Sequence, residues 1–296
     1  MNHPRLGEVL PLLLGPEALP PFRGAHEVRW RIISGGAVNL RLRVQARTTH
    51  GPQAWFMRLA GADSAALGAN ASSEALAHAA AASAGLAPEL VYTDTVRGLL
   101  VTRWWPGRPW TWRQARHGLP AYAALAAGLH ALPVPIELAI VDLVQATRHL
   151  LADLQQPTTA HTADRLHRLV DDAEHRLGEA AADVSSIVHS DPHGGNVLCS
   201  TSGALRFVDF EYAGRGNPVH DLAMFVTSHD LNRDQCLALL EAYNTHRPAP
   251  TLLHLQTACQ LADTLWLAWT LQVQGGAALE QMPRARRVWT RLAALS

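Results

Sequence analysis

Two periods divide this chain. Over the first hundred residues, apolar positions come in short runs, at 28–33, 40–44, 55–59 and 99–103. Ser34-Gly35-Gly36, the polar stretch 48–53 and Pro106-Gly107-Arg108-Pro109 punctuate them, so each run is read as a strand. Residues 73–84 are dominated by Ala around Glu74 and predict a helix, stopped by Gly85-Leu86-Ala87-Pro88. Beyond residue 120 apolar positions recur at three- and four-residue intervals. This pattern predicts helices over 121–132, 136–154, 162–182, 234–243, 251–273 and 284–295. One strand-rich island, 187–210, interrupts them, with the turn 200–203 between apolar runs 197–199 and 205–208 as a hairpin signal. The expected layout is α+β: a small sheet-bearing lobe over 1–104, a hinge near 103–107 and a larger helical lobe over 105–296.

Composition narrows the function. A chain of 296 residues buries enough surface to dispense with disulfide or zinc staples. The 25 basic and 25 acidic residues cancel, which argues against nucleic acid or a membrane surface as partner. Every one of those bases is Arg. Without Lys, no side-chain amine is available for Schiff-base chemistry. The 3 cysteines follow no metal or redox spacing, consistent with a reducing compartment. The apolar run 9–14, interrupted by Pro11, is too short for a signal-peptide core, and no stretch is long and apolar enough to span a membrane. The expectation is a soluble, cytoplasmic protein with no obligate protein partner.

The chemistry concentrates in the island. Ile187-Val-His-Ser-Asp-Pro-His-Gly-Gly-Asn-Val-Leu198 is followed by Leu205-Arg-Phe-Val-Asp-Phe-Glu-Tyr212. Two apolar runs thus deliver Asp191 and Asp209, with Asn196 between them. Phosphoryl transfer from a nucleotide needs this set: one carboxylate to orient the attacking hydroxyl and take its proton, a second carboxylate and an amide oxygen to hold Mg²⁺. Gly194-Gly195 allows a tight turn between them.

His189-Ser-Asp191-x₄-Asn196 with Asp209-Phe-Glu resembles the catalytic loop and metal-binding Asp of the protein-kinase-like small-molecule phosphotransferases, the choline/ethanolamine kinase, thiamine kinase and aminoglycoside phosphotransferase group. Phe207-Val-Asp-Phe-Glu-Tyr-Ala-Gly214, Asp221-Leu-Ala223 and Gly128-Leu-His-Ala-Leu-Pro133 continue the resemblance. It implies a bilobal protein-kinase-like fold, with a small antiparallel-sheet N-lobe and a larger helical C-lobe, and an enzyme that uses ATP with Mg²⁺. In that reading Asp191 is the catalytic base, Asn196 and Asp209 bind the metal, and His189 and Asp221 brace the loop. Ser34-Gly35-Gly36-x-x-Asn39 is similar to the phosphate-covering hairpin. Arg58 stands where the phosphate-binding base lies and would pair with Glu74, while Arg103 and Trp105 would offer backbone to adenine. Arg in place of Lys keeps a permanent charge and adds a bidentate fork.

The acceptor is read as a small cationic alcohol: choline, ethanolamine or thiamine. Trp266 and Trp269 stand three apart on one predicted helix, and choline kinases carry a similar Trp pair for the quaternary ammonium. Two core aromatics would give the same pattern. Glu211, beside the metal carboxylate, would face the acceptor or serve a structural hydrogen bond. An aminoglycoside or amino-sugar kinase, a non-catalytic nucleotide-binding pseudokinase, and a metallohydrolase built on His189, Asp191 and His193 are the alternatives.

Overall fold

The computed structural model describes residues 5–33, 39–61, 64–152, 154, 157–178 and 183–295. The phosphate-hairpin glycines, Gly35 and Gly36, lie outside them. The chain forms two compact units. One joins Met1–Arg108 to Cys199–Glu211; the other joins Pro109–Leu198 to Tyr212–Ser296.

The first unit is an antiparallel sheet with one helix before its strands and another between them. Its strands are β1 (His26–Ile32), β2 (Leu40–Thr48), β3 (Gly51–Leu59), β4 (Leu90–Asp94) and β5 (Leu99–Arg103), in the order β1-β2-β3-β5-β4. β2 shows why one face is a core. Leu40, Leu42, Val44 and Ala46 are buried, whereas Arg41, Arg43 and Arg47 alternate with them on the other face. The apolar run at the N-terminus is a helix, α1 (Leu6–Leu13), whose Val9, Leu12 and Leu13 pack into that core with Phe22 and Trp55. Phe22 and Trp55 meet edge to face at 5.3 Å. β4 carries no alternation, which hid it in the sequence. A turn in which Asp94 Oδ1 accepts from the backbone N–H groups of Val96 and Arg97 joins it to β5.

The second helix of this unit is α2 (Ala71–Ser83). Asn70 caps it, accepting from the N–H groups of Ser72 and Ser73, and Glu74, Ala77, His78 and Ala81 form its buried face. Gly85, at φ +73°, reverses the chain after its end, so that Leu86 N–H returns to Ala81 C=O at 2.8 Å.

The second unit is helical: α3 (Trp112–His117), α4 (Leu119–His130), α5 (Leu143–Ala152), α6 (Pro157–Leu177), α7 (Pro218–Ser228), α8 (Arg233–Asn244), α9 (Leu252–Gln274), α10 (Ala278–Gln281) and α11 (Pro283–Ala293). α9 runs through its centre and packs on α5, α6, α7, α8 and α11. Its apolar side shares one core with α5, α6 and α11. α5 begins later than the pattern predicts, because 139–141 is extended instead. Val141 N–H donates to Arg215 C=O and Arg215 N–H to Ala139 C=O, beside the antiparallel pair Ser186–Val188 and Gly214–Gly216. α6 starts five residues earlier than expected and ends at Leu177; the expected continuation over 179–182 lies outside the described residues. α7 was not legible at all. Val219, His220, Asp221, Leu222, Ala223, Phe225, Val226 and Thr227 are all buried, so no polar face remains to mark a helical period.

Candidate active site

The residues singled out by the sequence fall into two clusters, one in each unit. In the first unit, β3 presents Arg58, only 3% exposed, and α2 presents Glu74 to it. The Arg58 guanidinium pairs with Glu74 and also reaches Asp209 Oδ1 at 3.1 Å and Glu211 Oε2 at 3.3 Å. One guanidinium therefore binds three carboxylates, a task suited to its planar fork rather than to a lysine's point charge. Arg41, directly opposite Arg58 in the β2–β3 register, takes the other Asp209 oxygen at 2.6 Å. Asn39 donates to Glu211 at 2.8 Å and accepts from Gly61 N–H and Ser64 Oγ. Asp209 itself has φ +67°, a left-handed conformation that its partners hold in place.

Three carboxylates against two guanidinium groups leave this cluster one negative charge in excess. Burial pushes the Glu74 carboxyl up to about 7 against the pull of Arg58. Burial and the adjacent Asp209 likewise raise Glu211, while Arg58, Asn39 and Arg41 oppose the rise. Burial would lower Arg58, but Glu74, Asp209 and Glu211 together hold it above its ordinary value.

In the second unit the strand Ser186–Val188 feeds the loop that carries Asp191. Asp221, fully buried on α7, accepts from His189 N–H at 2.8 Å and Ser190 N–H at 2.7 Å. Those bonds fix the backbone through Ser190, whose φ is +67°. Asp221 is held in turn by His130 Nε2 at 3.0 Å, and His130 Nδ1 by the Tyr243 hydroxyl at 2.8 Å. Tyr122 Oη donates to the Asp221 carbonyl. Burial alone would raise the Asp221 carboxyl. The hydrogen bond and charge of His130, the charge of His189 and the His189 N–H outweigh it and hold the group below the usual range.

Asp191 stands at the mouth of this braced loop with its side chain 34% exposed. Asn196 turns its amide nitrogen onto Asp191, donating to Oδ2 at 2.9 Å and to the carbonyl at 3.0 Å. With both amide hydrogens used in this way, the Asn196 oxygen remains as a hard acceptor, the donor type Mg²⁺ selects. Asp209 is a carboxylate, the other hard oxygen donor expected for the ion. The donor types therefore fit the metal. Gly194 is held from both sides: its N–H donates to His229 Nε2 at 3.1 Å, and a Cβ there would lie 2.7 Å from the Trp110 carbonyl oxygen. His229 Nδ1 faces the Phe225 carbonyl at 2.8 Å, which sets the proton on Nδ1 and leaves Nε2 as acceptor. Burial also lowers the His229 pKa.

His130, Tyr122, Tyr243, Arg41 and His229 were not singled out by sequence reasoning. Only His130 sat in a motif noticed there, and none of the others has a sequence neighbour that betrays its partner.

The remaining expected residues make other contacts. Arg103 pairs with Gln53 at 2.6 Å and with Glu89 at 3.5 Å, and its N–H donates to the Glu89 carbonyl. The Trp105 carbonyl accepts from Gly107 N–H, and the Arg206 guanidinium lies 5.0 Å from the Trp105 ring. Trp266 and Trp269 both pack, half-buried, against the core of α5, α6, α9 and α11. The Arg284 guanidinium covers the Trp266 ring at 4.1 Å. Among the described residues no group of three His, Cys, Asp or Glu side chains is placed to hold a metal, so the metallohydrolase reading finds no ligand set. Among those residues, too, no helix is long and apolar enough to cross a membrane.

Solved structures share this fold. Choline kinase LicA from Streptococcus pneumoniae is 18% identical, with 91% of this chain and 95% of that chain covered, at a TM-score of 0.72. A choline/ethanolamine kinase family protein from Mesorhizobium loti is 24% identical, covering 98% and 94%, at 0.68. Spectinomycin phosphotransferase in complex with ADP and spectinomycin is 15% identical, covering 90% and 86%, at 0.54. Among curated proteins no sequence matches. The model of the phosphotransferase enzyme family matches residues 29–253, well over half of the chain. The motif around Asp191 and Asp209 lies inside that match, and the chain belongs to this family as a small-molecule phosphotransferase of protein-kinase-like fold.

Proposed function

We propose that the protein transfers the γ-phosphoryl group of ATP to the hydroxyl of a small molecule, with Asp191 as the base. The observation that carries this reading is the Asp191 carboxylate itself, gripped by Asn196 at the end of a loop whose backbone is bound to buried Asp221. A carboxylate so held is pre-oriented, which is what a reaction dominated by positioning requires. Asp191 orients the acceptor hydroxyl and takes its proton as the oxygen bonds to the γ-phosphorus. The bond from that phosphorus to the β-phosphate oxygen breaks, and ADP leaves. Arg58, kept cationic by its three carboxylates, supports the phosphates, and Arg103 and Trp105 provide the adenine-facing backbone. Asn196 and Asp209 would hold Mg²⁺, which when bound neutralises phosphate charge. Cys199, Cys236 and Cys259 are free thiols, in keeping with the reducing cytoplasm where ATP is supplied.

For the acceptor, the Trp266–Trp269 spacing on α9 and the similarity to choline kinases support a cationic alcohol such as choline, ethanolamine or thiamine; an aminoglycoside or amino sugar is the alternative within the family. Against the cationic choice stands the Arg284 guanidinium already lying over Trp266. Measuring ADP release by the full chain with ATP and Mg²⁺ over a panel of alcohols tests the reading. Asp191→Ala is expected to lose turnover by roughly a thousandfold while still binding Mg-ATP. Undiminished turnover in Asp191→Ala would remove Asp191 as the base, and nucleotide binding with no transfer to any alcohol would favour the pseudokinase instead.

A further inference from the structure

Resting on this kinase reading, the second unit carries information about the acceptor that the motifs do not. Arg284 lies in the first turn of α11, half-buried, with its guanidinium carbon 4.1 Å from the centre of the Trp266 ring and Nη2 3.5 Å from Ser228 Oγ. Two routes connect it to the Asp191 loop. Ser228 adjoins His229, which accepts the Gly194 N–H of that loop at 3.1 Å. The charge of Asp191, after those of Asp263 and Asp230, also favours the cationic form of Arg284.

The nearby carboxylates already have partners. Arg291 clamps Asp263 with two bonds, at 2.7 and 2.8 Å, and Arg291 and Arg287 take Asp230 at 3.1 and 3.8 Å. Arg284 forms no ion pair among the described residues. Burial costs this guanidinium enough to lower its pKa, with Asp263, Asp230 and Asp191 only partly compensating. A partly desolvated arginine, held over an indole and without a carboxylate of its own among the described residues, is a recognition fork awaiting an anion. A quaternary ammonium has the opposite requirement. It needs the ring face that Arg284 covers, and would meet a like charge there.

We propose that Arg284 is the acceptor-recognition residue, held in register by Trp266, and that the acceptor is an alcohol bearing an oxyanion, either a carboxylate or a phosphate group. Trp266 thereby serves as a platform for the protein's own cation.

The test compares the full-length wild type, Arg284→Gln and Arg284→Lys with ATP and Mg²⁺ on D-glycerate, glycerol 3-phosphate, glycerol, choline and thiamine. For the wild type, kcat/KM on D-glycerate or glycerol 3-phosphate is expected to exceed that on choline by about tenfold or more. The better of those two probes distinguishes carboxylate from phosphate. Arg284→Gln is expected to lose about ten- to a hundredfold on that probe through KM, with the KM for ATP unchanged, and Arg284→Lys to recover part of the loss. Preference of the wild type for choline or thiamine, or an Arg284→Gln value within about twofold of wild type, overturns the proposal. If no probe releases ADP, the kinase reading fails separately. Binding of the same two oxyanions, followed by tryptophan fluorescence, then decides this proposal: loss of binding in Arg284→Gln supports it, and equal or absent binding overturns it.

Discussion

At the scale of single residues, the first cluster turns on what one guanidinium does for three carboxylates. Arg58 is the cation shared by Glu74, Asp209 and Glu211, so replacing it with Lys shortens the reach and removes the fork. Arg58→Lys is expected to lower kcat/KM for ATP by roughly tenfold or more and to lower the melting temperature, both measurable on purified protein. A variant indistinguishable from wild type in both would show that a point charge suffices. Asp221 is the corresponding residue in the second unit. Asp221→Asn leaves one of the backbone donors of His189 or Ser190, or the ring of His130, poorly matched in a dry site. The expected cost is about 3 kcal/mol in denaturant unfolding, together with a fall in kcat at nearly constant KM for ATP. The residues read from the sequence were those fixed by local order: an Asp five positions before an Asn, an Asp before Phe-Glu. Arg41, Tyr243 and His229 escaped because their partners lie 168, 113 and 35 positions away, and nothing local to them records that.

At the scale of elements, visibility followed burial. α2 was read nearly to its ends because alanines and a terminating glycine agree there, and β5 was read to the residue. α7 failed the same test for the opposite reason: a helix wrapped on every side has no polar stripe. α1 was hidden by Pro11, which breaks a pattern more readily than it breaks an eight-residue helix anchored by Val9, Leu12 and Leu13. The capping of α2 gives a prediction at this scale. Asn70 satisfies two first-turn N–H groups, so Asn70→Ala is expected to cost about 1 kcal/mol in chemical denaturation. Because α2 carries Glu74, the same change is expected to raise the KM for ATP. A stability loss without any change in KM would mean that the helix position does not depend on its cap.

At the scale of the whole molecule, two buried groups oppose each other with pH. Burial brings the His220 pKa down from 6.5 to about 4, so the stability it contributes is present above pH 6.5 and lost as pH falls toward 4. Glu74 runs the other way. With its pKa raised from 4.5 to about 7, its contribution is present below pH 4.5 and lost as pH rises through 7. Between about pH 4.5 and 6.5 the unfolded chain gains a proton at one site and loses one at the other, and the two slopes cancel. Urea unfolding across that window is expected to show little dependence from this pair. His220→Leu should expose a fall in stability with rising pH, and Glu74→Gln a rise, each of about 1 kcal/mol per pH unit. Parallel curves for all three proteins would mean that neither group titrates between the folded and unfolded states in this range.

The first unit draws its members from two separated stretches of chain, Met1–Arg108 and Cys199–Glu211. Arg58 and Glu74 arrive in the opening stretch, while Asp209 and Glu211 arrive more than a hundred residues later. A chimaera that borrows only the opening stretch from a relative would pair one parent's guanidinium with the other parent's carboxylates. Exchange of this cluster between family members therefore requires two grafts made together, the second no longer than a short hairpin and the residues that follow it.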